Sequence, residues 1–108
     1  MNRGDLWTVA GGVYASKPRP ALIIQDDRFD STDSVTVLPL TTTAVDAPLL
    51  RLTVPATELS GLRQDSQIMV DKLTTVRRVN VQERVGRLTA VQLVEVERAM
   101  LAFLGLAD

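Results

Sequence analysis

Arg19 lies between two prolines, in the segment Ser16–Pro20. Each proline fixes its own φ angle and favours extended geometry in the residue before it. The guanidinium therefore projects from a stiff stretch of backbone, and its planar fork suits the oxygens of a phosphate. The pattern allows a phosphate-binding role for Arg19, and the alternative is a surface arginine beside turn prolines.

Thr41–Thr43 follow a run of strand-forming residues. Threonine hydroxyls at a strand end can donate hydrogen bonds to phosphate oxygens or to a developing oxyanion. The alternative is structural, because threonine is a common strand residue.

Two charged stretches and two aromatic residues could also bind a ligand. The four aspartates between residues 26 and 33 lack the spacing of a calcium-binding loop, so we interpret them as a solvated turn. The arginines between residues 77 and 87 could contact phosphates, but we interpret them as a solvated face. Tyr14, next to two glycines, is the better candidate for stacking on a base, and Trp7 is expected in the core.

Composition excludes several kinds of chemistry. The chain has no Cys, which removes disulfides, thiolate metal sites and a cysteine nucleophile. It has no His, so Ser-His-Asp catalysis and most zinc sites are excluded. Its 12 Lys and Arg against 13 Asp and Glu argue against a strongly basic nucleic-acid module but leave room for a local basic groove.

The sequence also carries signals about domains and location. Residues 1–5 do not begin a signal peptide, and the apolar stretch at residues 99–107 is shorter than the about 20 residues that span a bilayer. We find no repeat and no linker, so we expect one soluble domain over residues 1–108. The lack of cysteine suits the cytoplasm.

Alternating or continuous apolar runs predict five to seven short strands, bounded by Gly, Pro and polar turns. Ser16–Pro20 is predicted to be a stiff loop, and Pro39 to mark an edge or a bulge. Residues 67–76 are either two strands or one bent strand. The predicted strands are residues 5–10, 21–25, 35–41, 49–54, 67–71, 73–76 and a short piece within 79–88.

The last part of the chain predicts an amphipathic helix. Thr89 and Gln92 have the spacing of a capping box, and Gly105 is a candidate C-terminal cap. The apolar half of this helix is expected to pack on a sheet or partly on a second subunit. Together the elements predict a mainly β fold, a small curled antiparallel sheet with a C-terminal helix.

Six segments, in this order, resemble the MazF/PemK family of toxin endoribonucleases. No single segment is specific to this family, but six segments in the same order over 108 residues together make a strong resemblance. The segments are Arg3–Trp7 (RGDLW), Arg19–Asp27 (RPALIIQDD), Val37–Thr42 (VLPLTT), Gly61–Ser66 (GLRQDS), Asp71–Val76 (DKLTTV) and Gly86–Thr89 (GRLT).

The resemblance implies a small SH3-like barrel of the CcdB/MazF type, assembled as a homodimer. It implies a cytoplasmic, sequence-specific endoribonuclease that needs no metal or cofactor and cleaves single-stranded RNA, mRNA in particular. In this family the ribose 2′-hydroxyl attacks the adjacent phosphate, which leaves a 2′,3′-cyclic phosphate and a 5′-hydroxyl. A cognate antitoxin neutralises the toxin.

The family's catalytic arginine falls on Arg19 and its catalytic threonine on Thr41. By this resemblance Arg19 would stabilise the charge on phosphorus, and Thr41 would donate a hydrogen bond to a non-bridging oxygen. The loop before Arg19 lacks the glutamate of many members, and Lys72 replaces their Gln or Asn. The candidate RNA contacts are Tyr14, Ser16, Lys17, Thr42 and Lys72.

Two other functions stay open on the sequence. A toxin of the same fold could bind a protein such as gyrase, but the Trp-Gly-Ile ending typical of that class is absent from residues 103–108. A non-catalytic interaction domain would give no reason for Pro-Arg-Pro and Thr-Thr to converge.

Overall fold

The computed structural model of the protein describes residues 1–11 and 15–107, and at residues 15 and 16 it describes the backbone. Over these residues seven strands precede one α-helix, α1, which spans Ala90–Phe103. The strands are Asp5–Gly11 (β1), Ala15–Ile23 (β2), Ser34–Thr41 (β3), Arg51–Val54 (β4), Ser66–Met69 (β5), Thr74–Arg77 (β6) and Val81–Arg87 (β7).

The strands form one antiparallel sheet in the order β4-β5-β3-β2-β1-β7, and β6 also pairs with β3. The predicted mainly β fold with a C-terminal helix is therefore confirmed. Within the described residues the ladder runs from β4 to β7 without closing, and its curl is compatible with a barrel-like fold.

Apolar side chains pack on both faces of the sheet. Successive residues of a strand point to opposite faces, so the apolar run 21–24 serves two cores. Leu22 and Ile24 belong to the main core, which includes Val96 of α1. Ala21 and Ile23 belong to a smaller core with Trp7 packed against it. The expectation that residues 21–24 are buried, and that Trp7 is a core residue, is thus confirmed, although Trp7 is only half-buried.

The prediction that Ser16–Pro20 is a loop is wrong, because this segment lies inside β2. The fixed φ of proline and the extended geometry before it are both compatible with a strand. Proline lacks an N–H, but the ladder from β2 to β3 begins only at Ala21, so Pro18 and Pro20 are not required to donate to β3. Pro20 lies opposite Thr8 of β1.

Pro39 lies where β3 changes its partner. Before it, Val37 pairs with β6, and after it, Leu40 pairs with β5. On the other side Pro39 lies opposite Ala21 in a regular register with β2, so the predicted bulge is absent from this ladder. The missing N–H of Pro39 therefore coincides with the gap between two partner strands.

Residues 67–76 form two strands rather than one bent strand. A single 3₁₀ turn, Val70–Lys72, separates β5 from β6. Val70 is buried in the main core, which anchors this turn. Of the two residues that follow it, Asp71 is half-buried and Lys72 is exposed.

The capping of α1 is as predicted. The backbone N–H of Gln92 donates to the Thr89 hydroxyl, and the backbone N–H of Thr89 donates to Oε1 of Gln92. Gly105 follows the last turn with a positive φ of 72°. Glu97, on the apolar side, forms an ion pair of 2.9 Å with Arg3. Among the described residues, no helix has both the length and the apolar character needed to cross a membrane.

Gly61 and Gly86 bring two stretches of backbone into direct contact. A Cβ built on Gly61 would overlap the carbonyl oxygen of Val85, and one built on Gly86 would overlap the carbonyl oxygens of Leu59 and Ser60. Gly61 also has a positive φ of 67°, which other residues rarely adopt. The turn at residues 57–62 can therefore lie against β7 only if both positions lack a side chain.

Asp5 ties the start of β1 to β7. It is buried, and its carboxylate accepts hydrogen bonds from the backbone N–H of Asn2, from Nη2 of Arg84 and from Nε1 of Trp7, at 2.9, 3.4 and 3.4 Å. Burial alone would raise the pKa of Asp5, but these donors together hold the pKa below its ordinary value.

We expect Asp5→Asn to lower the free energy of unfolding by about 2 kcal/mol at pH 7, because the hydrogen bonds to a charged acceptor are lost. A depressed pKa stabilises the fold above the pKa of the unfolded state, and this contribution is lost as the pH falls through the folded-state pKa. The difference between wild type and variant should therefore shrink between pH 5 and pH 3. Urea unfolding at each pH measures it, with Asp46→Asn at an exposed loop position as the control. A difference that does not change with pH would contradict the role given to this carboxylate.

Candidate active site

Arg19 and Thr41 lie on neighbouring strands. The ladder between β2 and β3 pairs Ala21 with Pro39 and Ile23 with Val37. Continuing that register by two residues puts Arg19 opposite Thr41, with both on the face that carries the smaller core. The two candidate residues therefore share one face of the sheet, just past the last buried residues.

A cavity of about 300 Å³ opens beside Arg19. Two cations, two hydroxyl side chains and three apolar side chains line it. These residues are Arg19, Lys72, Thr74, Thr75, Pro39, Leu40 and Met69. The cavity combines groups that bind phosphate with an apolar surface.

The Thr41 hydroxyl has a defined orientation. The backbone N–H of Thr43 donates to Oγ1 of Thr41 at 3.1 Å. This bond occupies one lone pair of the hydroxyl, so its proton is available for a second acceptor. Thr41 is half-buried, and Thr42 and Thr43 are exposed.

Gln67 fixes the turn that follows Thr41. It lies opposite Thr41 in the ladder between β3 and β5. Its side-chain oxygen accepts from the N–H of Val45 at 3.0 Å, and its side-chain amide donates to the oxygen of Val45 at 3.1 Å. The two bonds reproduce a backbone pairing and hold residues 42–45 against β5.

The 3₁₀ turn that carries Lys72 is held by an ion pair. Arg51 of β4 donates from Nε to Oδ1 of Asp71 at 3.1 Å and from Nη2 to Oδ2 at 3.4 Å. The hydrogen bond from Arg51 holds the pKa of Asp71 below its usual range. The backbone N–H of Val70 also donates to the oxygen of Leu50 at 2.9 Å. The turn is thus attached by a side-chain ion pair to β4 and by a backbone bond to the residue before β4.

The structure brings together some of the predicted site residues. Arg19 and Lys72 share the cavity, and Thr41 follows Leu40, which lines it. Lys17 is exposed on β2, two residues from Arg19. Tyr14 lies outside the described residues, and Ser16 is described only as part of the backbone of β2.

Several of the charged groups outside the cavity have structural partners. Asp26 accepts from Arg28, and Asp27 accepts from the N–H of Arg3. Arg78 donates to the oxygen of Thr32 at 2.7 Å. Within residues 1–11 and 15–107, no group of three or more acidic, His or Cys side chains could hold a metal ion.

Three features of the site were not predicted from the sequence. Met69 and the two threonines of β6 were interpreted only as strand residues, and the Arg51–Asp71 pair was not foreseen. The period of two in β6 could have placed Thr74 on the face of buried Val76. Nothing local links Arg51 to Asp71, because they are 20 positions apart.

Comparison with known proteins identifies a family over almost all of the chain. The model of the family described as PemK-like, MazF-like toxin of type II toxin-antitoxin system matches residues 2–104. A curated protein from Mycolicibacterium smegmatis, named probable endoribonuclease MazF, is 55% identical over 108 residues, which cover 99% of each chain.

Solved structures show the same fold. The Mycobacterium tuberculosis toxin MazF-mt6 superposes with a TM-score of 0.82 at 25% identity, over 96% of this chain and 99% of that one. A mycobacterial endoribonuclease in complex with its cognate antitoxin superposes with a TM-score of 0.80 at 22% identity, over 100% and 98% of the two chains.

The bonds to Val45 predict a specific pattern of hydrogen exchange. We expect Gln67→Ala to speed exchange of the Val45 amide by about fivefold, since its acceptor is lost. Gln67→Glu keeps an acceptor, so the Val45 amide should stay protected. Exchange measured residue by residue by NMR tests this, with Gln64→Ala as the matched control. An unchanged rate in Gln67→Ala would show that this side chain does not fix the turn.

Proposed function

The chain belongs to the PemK-like, MazF-like family of type II toxins, and we propose that it is a sequence-specific endoribonuclease that cleaves single-stranded RNA, mRNA in particular. The observation that supports the site assignment is the register of β2 and β3. Continued by two residues past its last pair, this register brings Arg19 opposite Thr41, and a cavity opens beside Arg19. Residues 1–108 form one toxin domain in this proposal.

Cleavage follows the route of in-line attack by the ribose. The 2′-oxygen bonds to the adjacent phosphorus, and the bond from phosphorus to the 5′-oxygen of the next nucleotide breaks. The 2′-hydroxyl loses its proton, and the departing 5′-oxygen gains one, which leaves a 2′,3′-cyclic phosphate and a 5′-hydroxyl. DNA lacks the 2′-hydroxyl and is therefore not a substrate.

Arg19 and Thr41 stabilise the charge that builds on the phosphate. The guanidinium is permanently charged and is held by the extended Pro-Arg-Pro backbone, so little order is lost when it meets the transition state. The Thr41 hydroxyl, oriented by the Thr43 N–H, donates to a non-bridging oxygen. Neither role requires a metal or a cofactor.

The surrounding residues bind the rest of the RNA. Lys17 and Lys72 are exposed cations and take part in none of the ion pairs formed within the described residues. They supply phosphate attraction on a chain whose net charge is −1. Thr42, Tyr14 and Ser16 complete the proposed contacts.

The proposed partners are a second copy of the chain and a cognate antitoxin, both in the cytoplasm. An apolar groove of about 810 Å³ lies between residues 47–52 and α1, and it includes exposed Leu49 and Phe103. Apolar surface of this kind is typical of protein interfaces, which supports the homodimer. No observation favours the alternative of a gyrase-binding toxin.

We expect purified protein to cleave single-stranded RNA in excess EDTA. Arg19→Ala should lower kcat by about 10³-fold or more, because the charge on the phosphate loses its counter-charge. Thr41→Val should lower kcat by about 10²–10³-fold, because one donor to the oxyanion is lost, and Thr41→Ser should retain most of it. Mapping of 5′-hydroxyl ends on a long defined RNA measures activity and chemistry together.

The matched controls are Arg63→Ala and Thr53→Val, at exposed positions outside the cavity. Full cleavage by Arg19→Ala would remove the mechanism. Activity that EDTA abolishes would point to a metal-dependent nuclease, and inhibition of gyrase supercoiling without RNA cleavage would favour the alternative toxin.

The homodimer predicts a concentration-dependent mass. We expect sedimentation equilibrium to give twice the chain mass of 11.8 kDa, and Phe103→Glu to shift it toward the monomer by placing a charge in the apolar groove. The control is Glu95→Gln, because Glu95 also lines this groove and the substitution keeps a polar side chain at that position. A wild-type monomer at all concentrations would exclude the dimer.

A further inference from the structure

The cavity beside Arg19 is larger and less polar than a phosphate needs. Pro39, Leu40 and Met69 add apolar surface to the lining that also holds the two cations. A nucleobase has this combination of properties, since its faces are apolar and its edge is polar. The thioether of Met69 also makes favourable contacts with aromatic rings. The geometry therefore suits a base beside the phosphate that Arg19 binds.

Lys72 supplies the cavity with hydrogen-bond donors but no acceptor. Its ammonium has three donors and no acceptor. The hydroxyls of Thr74 and Thr75 can both donate and accept, so they do not discriminate between base edges. The donors of Lys72 match O6 of guanine and O4 of uracil, and they oppose the amino groups that adenine and cytosine carry at the same ring positions.

The position of Lys72 is set by the elements beneath it. Val70 is buried in the core, and its N–H is bonded to Leu50. The Arg51 fork on Asp71 fixes the next residue, and the Arg51 side chain is only 13% exposed. Ion pairs with this two-bond geometry and partial burial are more effective than those on an open surface. The long lysine stem therefore starts from a fixed backbone at the cavity rim.

We propose that Lys72 is a specificity-determining residue that selects a keto base, guanine or uracil, next to the scissile phosphate, and that Arg51 and Asp71 are positioning residues for it. The inference rests on the proposed function, because it assumes that the cavity receives RNA. It goes further by naming the base chemistry that the site accepts.

Binding to RNA that cannot be cleaved tests the proposal without relying on catalysis. A random pool of 2′-fluoro oligonucleotides lacks the attacking hydroxyl and can be sequenced before and after retention by the protein. We expect wild type to enrich G or U over A or C about tenfold at one position, and Lys72→Ala to lose this preference. Lys17→Ala, the matched control, should weaken retention while keeping the preference.

Mapping of cleavage sites gives a second readout. Wild-type sites should share G or U at one position, and Lys72→Gln should also accept A or C there, since an amide both donates and accepts. Selection of A or C by wild type would overturn the proposal. Equal weakening of all sequences by Lys72→Ala would also overturn it, because it would show that Lys72 contacts a phosphate. If wild type binds selectively but does not cleave, the proposed nuclease fails and the base selection stands.

The positioning role is tested by combining substitutions. Asp71→Asn should relax the keto preference and raise KM about three- to tenfold with little change in kcat, because the ion pair weakens. In a Lys72→Ala background, Asp71→Asn should change the preference no further. Arg51→Lys, which loses the fork, is the second variant, and Asp46→Asn is the control. Loss of thermal stability with an intact preference would show a purely structural pair.

Discussion

β3 pairs with β2 along one edge, and with β6 and then β5 along the other. This shared strand brings three separate parts of the sequence to one place. Its register with β2, continued two residues past the last observed pair, sets Thr41 toward Arg19. Its ladder with β5 pairs Thr41 with Gln67, and its pairing with β6 brings Thr74 to the cavity beside Arg19. β3 changes its partner at Pro39, and Lys72 lies in the 3₁₀ turn that joins the two partner strands, β5 and β6.

Charge is distributed unevenly in a chain that is almost neutral overall. Ion pairs that join distant elements involve Arg3, Arg51 and Arg84. The cations at the cavity, Arg19 and Lys72, are absent from the ion pairs formed among the described residues. Net charge therefore says little about this site, because attraction for a polyanion depends on which cations remain without a carboxylate.

Sequence predicted the features that depend on short-range patterns. The cap of α1 at Thr89, the strand β1 and the apolar run in β2 are local signals, and the structure agrees with each. The alternation predicted along β1 is not seen in its burial, because Asp5 and Leu6, and again Val9 and Ala10, are buried side by side. Arg19 was singled out because two prolines flank it, although those prolines were wrongly taken to exclude a strand. This segment is a strand because it pairs with β1, and such pairing depends on residues that are distant in the sequence.

The features that escaped prediction are contacts between distant positions. Arg51 and Asp71 have ordinary neighbours in the sequence, and their pairing depends on the packing of β4 on β5. The Gln67 bonds to Val45 span 22 positions and mimic backbone pairing with a side chain. The lining of the cavity by Met69 depends in the same way on where a 3₁₀ turn falls.

Gly61 and Gly86 lie in the turn 57–62 and in β7, outside the set of residues that line the cavity, yet neither tolerates a side chain. Because the chain belongs to a family of toxins, this has a consequence for genetics. Cells that survive its expression will include some with substitutions at these two glycines. A displaced turn inactivates the toxin as completely as the loss of the Arg19 guanidinium does. A map of escape mutations alone would therefore confuse the packing of two backbones with the chemistry of the reaction, and only the amount of folded protein in each survivor would tell them apart.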